Sequence, residues 1–397
     1  MNTSLSENKH QRKQEWVSLL LFAVVIFMTV IACFLIFTLS APTPEGQTAG
    51  GKSADYLAFW AAGRLVLDNN ALLAYDVVEH AVIEAFAVKR EVGFLPWLNP
   101  PPFLLIIAPF SLFPFFYSHY IWSFFTAFLF GYTAYKIIPS RTAVLAVLCF
   151  PPVFLCFSFG QTGMLLAAFL GLFSYYQDKK PVLAGLIAAL IIIKPQLGMV
   201  IPFVLLASAN WKAFWSAVAA VIVLCFLPVI LFTPTIWENF ISSFYKYGAL
   251  TVSLDHFLSR MQSFYGFFLY CDVPAHIAAF LQILCSGSLI ALSCYIWYKP
   301  FSSALKGSIF IIASIAATPY FQIYDYPIMA IAGLYLWLLP NTDFEKKIIR
   351  IFIIITAITF LALIRIHTPI WAASLFPLLF IIIRQMLYER KSFKTGS

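Results

Sequence analysis

A chain of 397 residues with 62% hydrophobic and only 11% charged side chains cannot present a soluble surface. Its mean hydropathy of +0.88 calls for lipid as the solvent. A β-barrel is excluded because barrel strands alternate in polarity, whereas the apolar residues here run continuously. The formal charge of +8 is spread as a membrane topology requires, not as a nucleic-acid footprint.

A helical crossing takes about 20 apolar residues, and such runs predict about twelve crossings in one integrated domain, 1–397. The first, Trp16 to Ser40, is longer than a signal-peptide core and reads as an uncleaved anchor. The others are expected at Pro114–Lys136, Thr142–Phe157, Thr162–Tyr176, Pro181–Ile193, Leu197–Ser208 and Ala213–Phe232. They continue at Pro274–Trp297, Gly307–Ala317, Pro327–Leu339, Ile348–Ile364 and Thr368–Arg384. With the N-terminus inside, 17 of the 25 basic residues fall on cytoplasmic segments and most of the acids fall outside. The positive-inside rule then puts both termini in the cytoplasm of a cell whose inner membrane the chain spans.

Two outer segments are longer than connectors. Residues 41–102 carry two amphipathic helices, Ser53–Leu67 and Asp76–Val88, with Ser53 and Asp76 as N-caps. The apolar stretch after Pro102 exceeds one crossing, so its first part is expected to lie along the interface until Pro114 turns it. Residues 233–273 hold Trp237, Tyr245, Tyr247, Tyr265 and Tyr270 among few charges, as headgroup-level segments do. Seven cysteines include no C-x-x-C pair, and six lie inside apolar runs, so they are read as packed thiols rather than disulfides or zinc ligands.

Few residues here can carry chemistry. Asp55 follows the first crossing, at the start of an apolar-faced helix among aromatics; it suits a general base, and equally a first-turn acid complementing the helix dipole. Lys194 interrupts an apolar run beside Pro195, where an ammonium needs a cavity, a partner or a snorkelling route to the headgroups. The outer turns Gly160-Gln161-Thr162-Gly163 and Tyr320-Phe321-Gln322-Ile323-Tyr324-Asp325-Tyr326-Pro327 put hydrogen-bonding groups on the same side. His256 and Arg260 could meet a phosphate or lipid headgroups. There is no Gly-rich phosphate loop, H-E-x-x-H or G-x-S-x-G, and no D-x-D suited to holding a metal against a nucleotide diphosphate. A cytoplasmic nucleotide-sugar donor is therefore disfavoured.

From Ser53 to Leu339 the chain resembles glycosyltransferase family 87, polyprenyl-phosphate-sugar-dependent membrane enzymes of GT-C architecture. The marks are Asp55 with Ala61-Ala62-Gly63-Arg64 and Tyr75-Asp76; Asn99-Pro100-Pro101-Pro102; Phe159-Gly160-Gln161-Thr162-Gly163; Ala184-Gly185 leading to Ile193-Lys194-Pro195-Gln196; Met261-Gln262-Ser263; and Thr318-Pro319-Tyr320 with Tyr324-Asp325. The resemblance implies inverting transfer of a hexose or pentose to a glycolipid or glycan hydroxyl at the outer face, with no metal or cofactor. It implies that Asp55 is the base, that Lys194, Arg260 and His256 face the donor phosphate, and that Arg64, Asn99, Gln161, Gln262, Tyr320, Tyr324 and Asp325 line the sugar or acceptor. Tyr324-Asp325 stands where the actinobacterial mannosyltransferase members resemble a His-His pair, so mannose does not follow from the resemblance.

The expectation is thus an all-α polytopic GT-C-like membrane enzyme whose partners are the lipid-linked donor, the acceptor and membrane lipids, with no nucleic acid. The rival is a transporter or flippase for a lipid-linked saccharide. Transporters usually show two related halves, whereas the Lys194-Pro195 break has no counterpart elsewhere in the chain.

Overall fold

The computed structural model describes residue 24 and residues 54–93, 95–253, 261–339, 342–363 and 371–395. Ser53, His256, Arg260 and, apart from residue 24, the first expected crossing lie outside the described residues. Among those described the architecture is all-helical, and the one pairing of extended backbone is an isolated antiparallel bridge between Met261 and Gln322.

The described part of residues 41–102 begins with α1 (Ala54–Leu67), a 3₁₀ turn (Ala71–Tyr75) and α2 (Val77–Val88). Asp76 caps α2 as its sequence position predicts, accepting from the N–H groups of Val78 at 2.9 Å and Glu79 at 3.2 Å. Three prolines then start α3 (Pro101–Ile107), where the missing N–H groups cost nothing. In the run expected to lie along the interface, Phe103, Leu104 and Ile107 are fully buried against the protein, while Leu112 and Phe113 are exposed. Ser111, just beyond α3, bonds the Trp60 carbonyl at 3.0 Å, so the segment is clamped to α1 inside the protein.

The remaining helices are α4 (Phe115–Ile137), α5 (Arg141–Leu148), α6 (Pro151–Phe159), α7 (Gly163–Tyr176), α8 (Pro181–Ala189), α9 (Pro195–Gly198) and α10 (Val200–Ala207). They continue as α11 (Trp211–Phe232), α12 (Thr235–Ser253), α13 (Phe264–Tyr270), α14 (Ala275–Tyr298), α15 (Ser303–Ala317), α16 (Pro327–Leu338), α17 (Asp343–Leu363) and α18 (Trp371–Thr395). Helix α7 is the centre, packed on α4, α8, α15 and α16 and buried along most of its length. Helix α11, by contrast, buries only Ala213 and Pro228 and turns Trp215, Phe226 and Ile230 outward, as a lipid-facing helix does.

Every described crossing predicted from the sequence is met by helix, yet few of these helices are full spans. Among the described residues, α11 and α14 are long and apolar enough to cross a membrane, and α5 with α6 makes a third if that pair, bent by 64°, counts as one. The expected twelve is therefore not reached among the described residues. Helix α7 has 14 residues, hence about 21 Å of rise against a hydrocarbon core of about 30 Å. Prolines 151, 181, 195 and 327 start new helices where uninterrupted spans would otherwise run on.

Within residues 233–273 the described chain includes a 19-residue helix, α12. Its Ser243 hydroxyl donates to the Tyr75 carbonyl at 2.6 Å and its Asn239 amide to the Leu72 carbonyl at 3.4 Å, tying α12 to the 3₁₀ turn between α1 and α2. At the other end of the bundle, turns assigned inside by charge also meet one another. Asn210 donates to the Gln177 carbonyl at 2.7 Å, and Ser302 donates to Glu389 through its N–H at 2.9 Å and its hydroxyl at 2.6 Å.

Candidate active site

Asp55 sits in the first turn of α1, where the helix dipole favours a carboxylate. The residues after it fix its position. The hydroxyls of Tyr56 and Ser118 lie 2.6 Å apart, the Tyr56 ring stacks on Phe115 and Trp122, and the Trp60 indole donates to the Phe113 carbonyl at 2.9 Å. One polar face of α1 is thus bolted to the start of α4.

The Gly160-Gln161-Thr162-Gly163 turn comes to Asp55 from the far side of the sequence. Gly160 ends α6 with φ of 64°, a left-handed conformation that side chains resist, and a Cβ there would collide with Tyr56 and His119. Helix α4 takes up the carbonyls of this turn: Trp122 donates to Gly160 at 2.8 Å, and His119 and Ser123 bond Phe157 at 3.2 and 3.1 Å. Held this way, the Gln161 amide donates to Asp55 Oδ2 at 3.0 Å across 106 residues of sequence. No cation lies within ion-pairing distance of Asp55 among the described residues.

Gly163 closes the other side of the turn, because a Cβ there would run into the Tyr324 carbonyl. This brings in the 3₁₀ turn Ile323–Asp325, where Gln322 and Asp325 cap each other reciprocally. Asp325, 2% exposed, accepts from the Lys194 ammonium at 2.7 Å, and the same ammonium lies 4.9 Å from the centre of the Tyr324 ring. Lys194 therefore has partners inside the protein, a carboxylate and an aromatic face. An apolar groove of about 380 Å³ opens from the residues flanking Lys194, walled by Ile191, Pro195, Met199, Leu205, Phe214 and Val221.

The 261–263 segment completes the cluster. Gln262 N–H donates to the Phe321 carbonyl at 2.7 Å, Ser263 Oγ donates to Pro319 at 2.5 Å, and the Tyr326 hydroxyl donates to Gln262 Oε1 at 3.2 Å. Folding thus gathers Asp55, Gln161, Lys194, Gln262, Tyr324 and Asp325 from five parts of the chain. Tyr320, at the rim, is 40% exposed. Asn99 is half-buried and contributes its carbonyl to the Tyr75 hydroxyl at 2.9 Å. Arg64 is not brought in: it lies in the last turn of α1, about 13 Å of helix from Asp55, and pairs with Asp68 at 2.8 Å on the surface.

A family model for glycosyltransferase family 87 matches residues 97–319, more than half of the chain. The chain belongs to glycosyltransferase family 87. No curated protein and no solved structure matches it. This family 87 chain is accordingly a membrane glycosyltransferase, which decides between the enzyme and transporter readings of the sequence. The matched span holds Asn99, Gln161, Lys194 and Gln262. Asp55, Gln322 and Asp325 lie beyond it, and the fold carries them to the same place.

One buried pair behind α1 has no counterpart in the sequence reading. His80 and Glu84, one helical turn apart on α2, are 1% and 0% exposed, with Nδ1 and the carboxyl 3.4 Å apart. His80 Nε2 meets the Ala58 carbonyl of α1 at 3.0 Å, so it carries the proton and donates. Burial holds the imidazole down to about 4 and pushes the carboxyl up to about 8, so both are neutral near pH 7. Their i, i+4 spacing was visible, but on an outer helix it looks like a surface pair.

Proposed function

We propose that this chain transfers one sugar, with inversion, from a polyprenyl-phosphate donor to a hydroxyl of a glycolipid or glycan at the outer face of the cytoplasmic membrane. The observation that carries the reading is a contrast: Asp55 is held by the neutral Gln161 amide, while Lys194 is anchored by its own acid, Asp325. Asp55 takes the proton as the acceptor oxygen bonds to the anomeric carbon. The bond from that carbon to the phosphate oxygen breaks, and its electron pair leaves on the polyprenyl phosphate. Asp325 takes one of the three ammonium hydrogens of Lys194, so the others remain to donate to that departing phosphate, together with Arg260. The apolar groove walled in part by Pro195, the neighbour of Lys194 in the chain, supports a lipid-linked donor, since it offers an apolar seat for a tail.

The test uses the purified protein in nanodiscs with radiolabelled polyprenyl-phosphate sugars and a lipid extract as acceptor source. A new glycosidic bond formed from a lipid-phosphate donor is the expected result. Transfer from a nucleotide sugar with none from any lipid-phosphate donor would overturn the proposal.

A further inference from the structure

Three polar atoms around the Lys194–Asp325 pair are buried without a hydrogen-bond partner: Gln262 Nε2, Gln322 Nε2 and Thr162 Oγ1. Their side chains are 0%, 3% and 1% exposed. The other atoms of these groups are committed. Gln262 Oε1 accepts from the Tyr326 hydroxyl, and the Gln322 side-chain oxygen accepts from the backbone of Asp325, whose Oδ2 in turn accepts Gln322 N–H at 3.4 Å. What each glutamine has left is a fixed amide donor.

Native structures keep few buried donors unpaired, because each forfeits its bond to water and gains none. Other orphaned groups have easier explanations. Ser293 and Ser314 are hydroxyls inside helices, free to turn onto their own helix carbonyls, Gln177 presents an acceptor oxygen rather than a donor, the Trp97 indole faces the Tyr75 hydroxyl, and the Glu84 carboxyl faces His80. The three donors stand together, on segments joined by the Met261–Gln322 bridge and by the contact of Gly163 with Tyr324.

We propose that Gln322 and Thr162, with Gln262, form the subsite that holds the hydroxyl oxygens of the sugar being transferred. The assignment rests on the polyprenyl-phosphate reading above. Neutral N–H and O–H donors match neutral oxygens, whereas a phosphate has the Lys194 ammonium to meet and two carboxylates, Asp55 and Asp325, to avoid. A site whose buried polar groups are filled only by the right hydroxyls discriminates strongly against a sugar lacking one of them. Because the three atoms are covered, a sugar reaches them as the 261–263 segment parts from the 319–326 turn. That movement breaks the bonds of Gln262 N–H to Phe321 and of Ser263 to Pro319.

The experiment compares wild type with Thr162→Val, Gln262→Met and Gln322→Met in nanodiscs. Donors are polyprenyl-phosphate glucose, mannose, galactose and arabinose, followed by singly deoxygenated forms of whichever sugar is transferred. Each variant should lose about tenfold to a hundredfold in kcat/KM on the intact donor and lose nothing further on the one deoxy donor lacking its partner hydroxyl. Thr162→Val should melt at or above the wild-type temperature, since it removes an unpaired hydroxyl. Affinity for polyprenyl phosphate bearing no sugar should stay at the wild-type value. Equal losses on every deoxy donor, weakened binding of the bare lipid phosphate, or unchanged kcat/KM would each overturn the subsite alone. Wild-type protein that transfers from none of the lipid-phosphate sugars would overturn the underlying reading, and the subsite with it.

Discussion

Two aspartates begin helical elements on either side of the Gly160–Gly163 turn, and their surroundings are opposite. Asp55 is half-buried and bonded to a neutral amide; Asp325 is 2% exposed and bonded to an ammonium. The oxygen that meets the Lys194 ammonium is committed to holding a cation, whereas Asp55 is fixed in place by Gln161 and has no cation within ion-pairing distance among the described residues. The same residue type is thus suited to receive a proton in one place and to aim a lysine in the other.

The largest effect expected from breaking this contrast is at Asp55. Asp55→Asn keeps the size and the helix start, yet transfer should fall roughly a hundredfold to ten-thousandfold, about 3 to 5 kcal/mol of barrier. At the other aspartate the signature is in stability. Lys194→Met or Asp325→Leu alone leaves a buried charge unmatched and should cost about 3 to 5 kcal/mol, while the double variant should recover most of it. Thermal unfolding of all three against wild type checks this, and additive losses would mean the pair is not coupled.

Gly163→Ala should loosen the turn between the two aspartates. Pressing a methyl onto the Tyr324 carbonyl should lower turnover by about tenfold at a cost of about 1 to 3 kcal/mol, read as rate and melting temperature together. Glu84→Gln acts behind α1 and only through pH. The Glu84 pKa is raised from 4.5 to about 8 in the fold, so its contribution to stability is present at low pH and is lost as pH climbs through that window. The glutamine variant should lack this slope, and the opposite loss from His80 as pH falls from 6.5 to about 4 should persist. The smallest effect is at Arg64, where Arg64→Ala should change activity less than about twofold and stability by under about 1 kcal/mol, because its pair with Asp68 is exposed.

Helices were legible wherever apolar runs were bounded by proline or a cap, as at Asp76 and Pro181. Their lengths were less so, since hydropathy does not distinguish a 14-residue buried helix such as α7 from a true span. Helix α12 was hidden by its aromatics, although Ile236, Phe240 and Phe244 recur every four residues on one face. In the site, Asp55, Gln161 and Lys194 were readable as polar exceptions in apolar surroundings. The partner of Lys194 was readable in principle, because Asp325 is the one acid in the outer turn 318–327 and a cation at membrane depth calls for a partner. Gln322 and Thr162 carried no such mark. Their interest lies in what their atoms fail to bond, and no sequence pattern records that.

The claim that Asp55 is the base is tested most directly by single-turnover transfer and donor affinity, measured on the same nanodisc preparations of wild type and Asp55→Asn. The account predicts donor binding close to wild type, an unchanged melting profile and transfer slowed at least about a hundredfold. Transfer near the wild-type rate in a properly folded Asp55→Asn protein would contradict it.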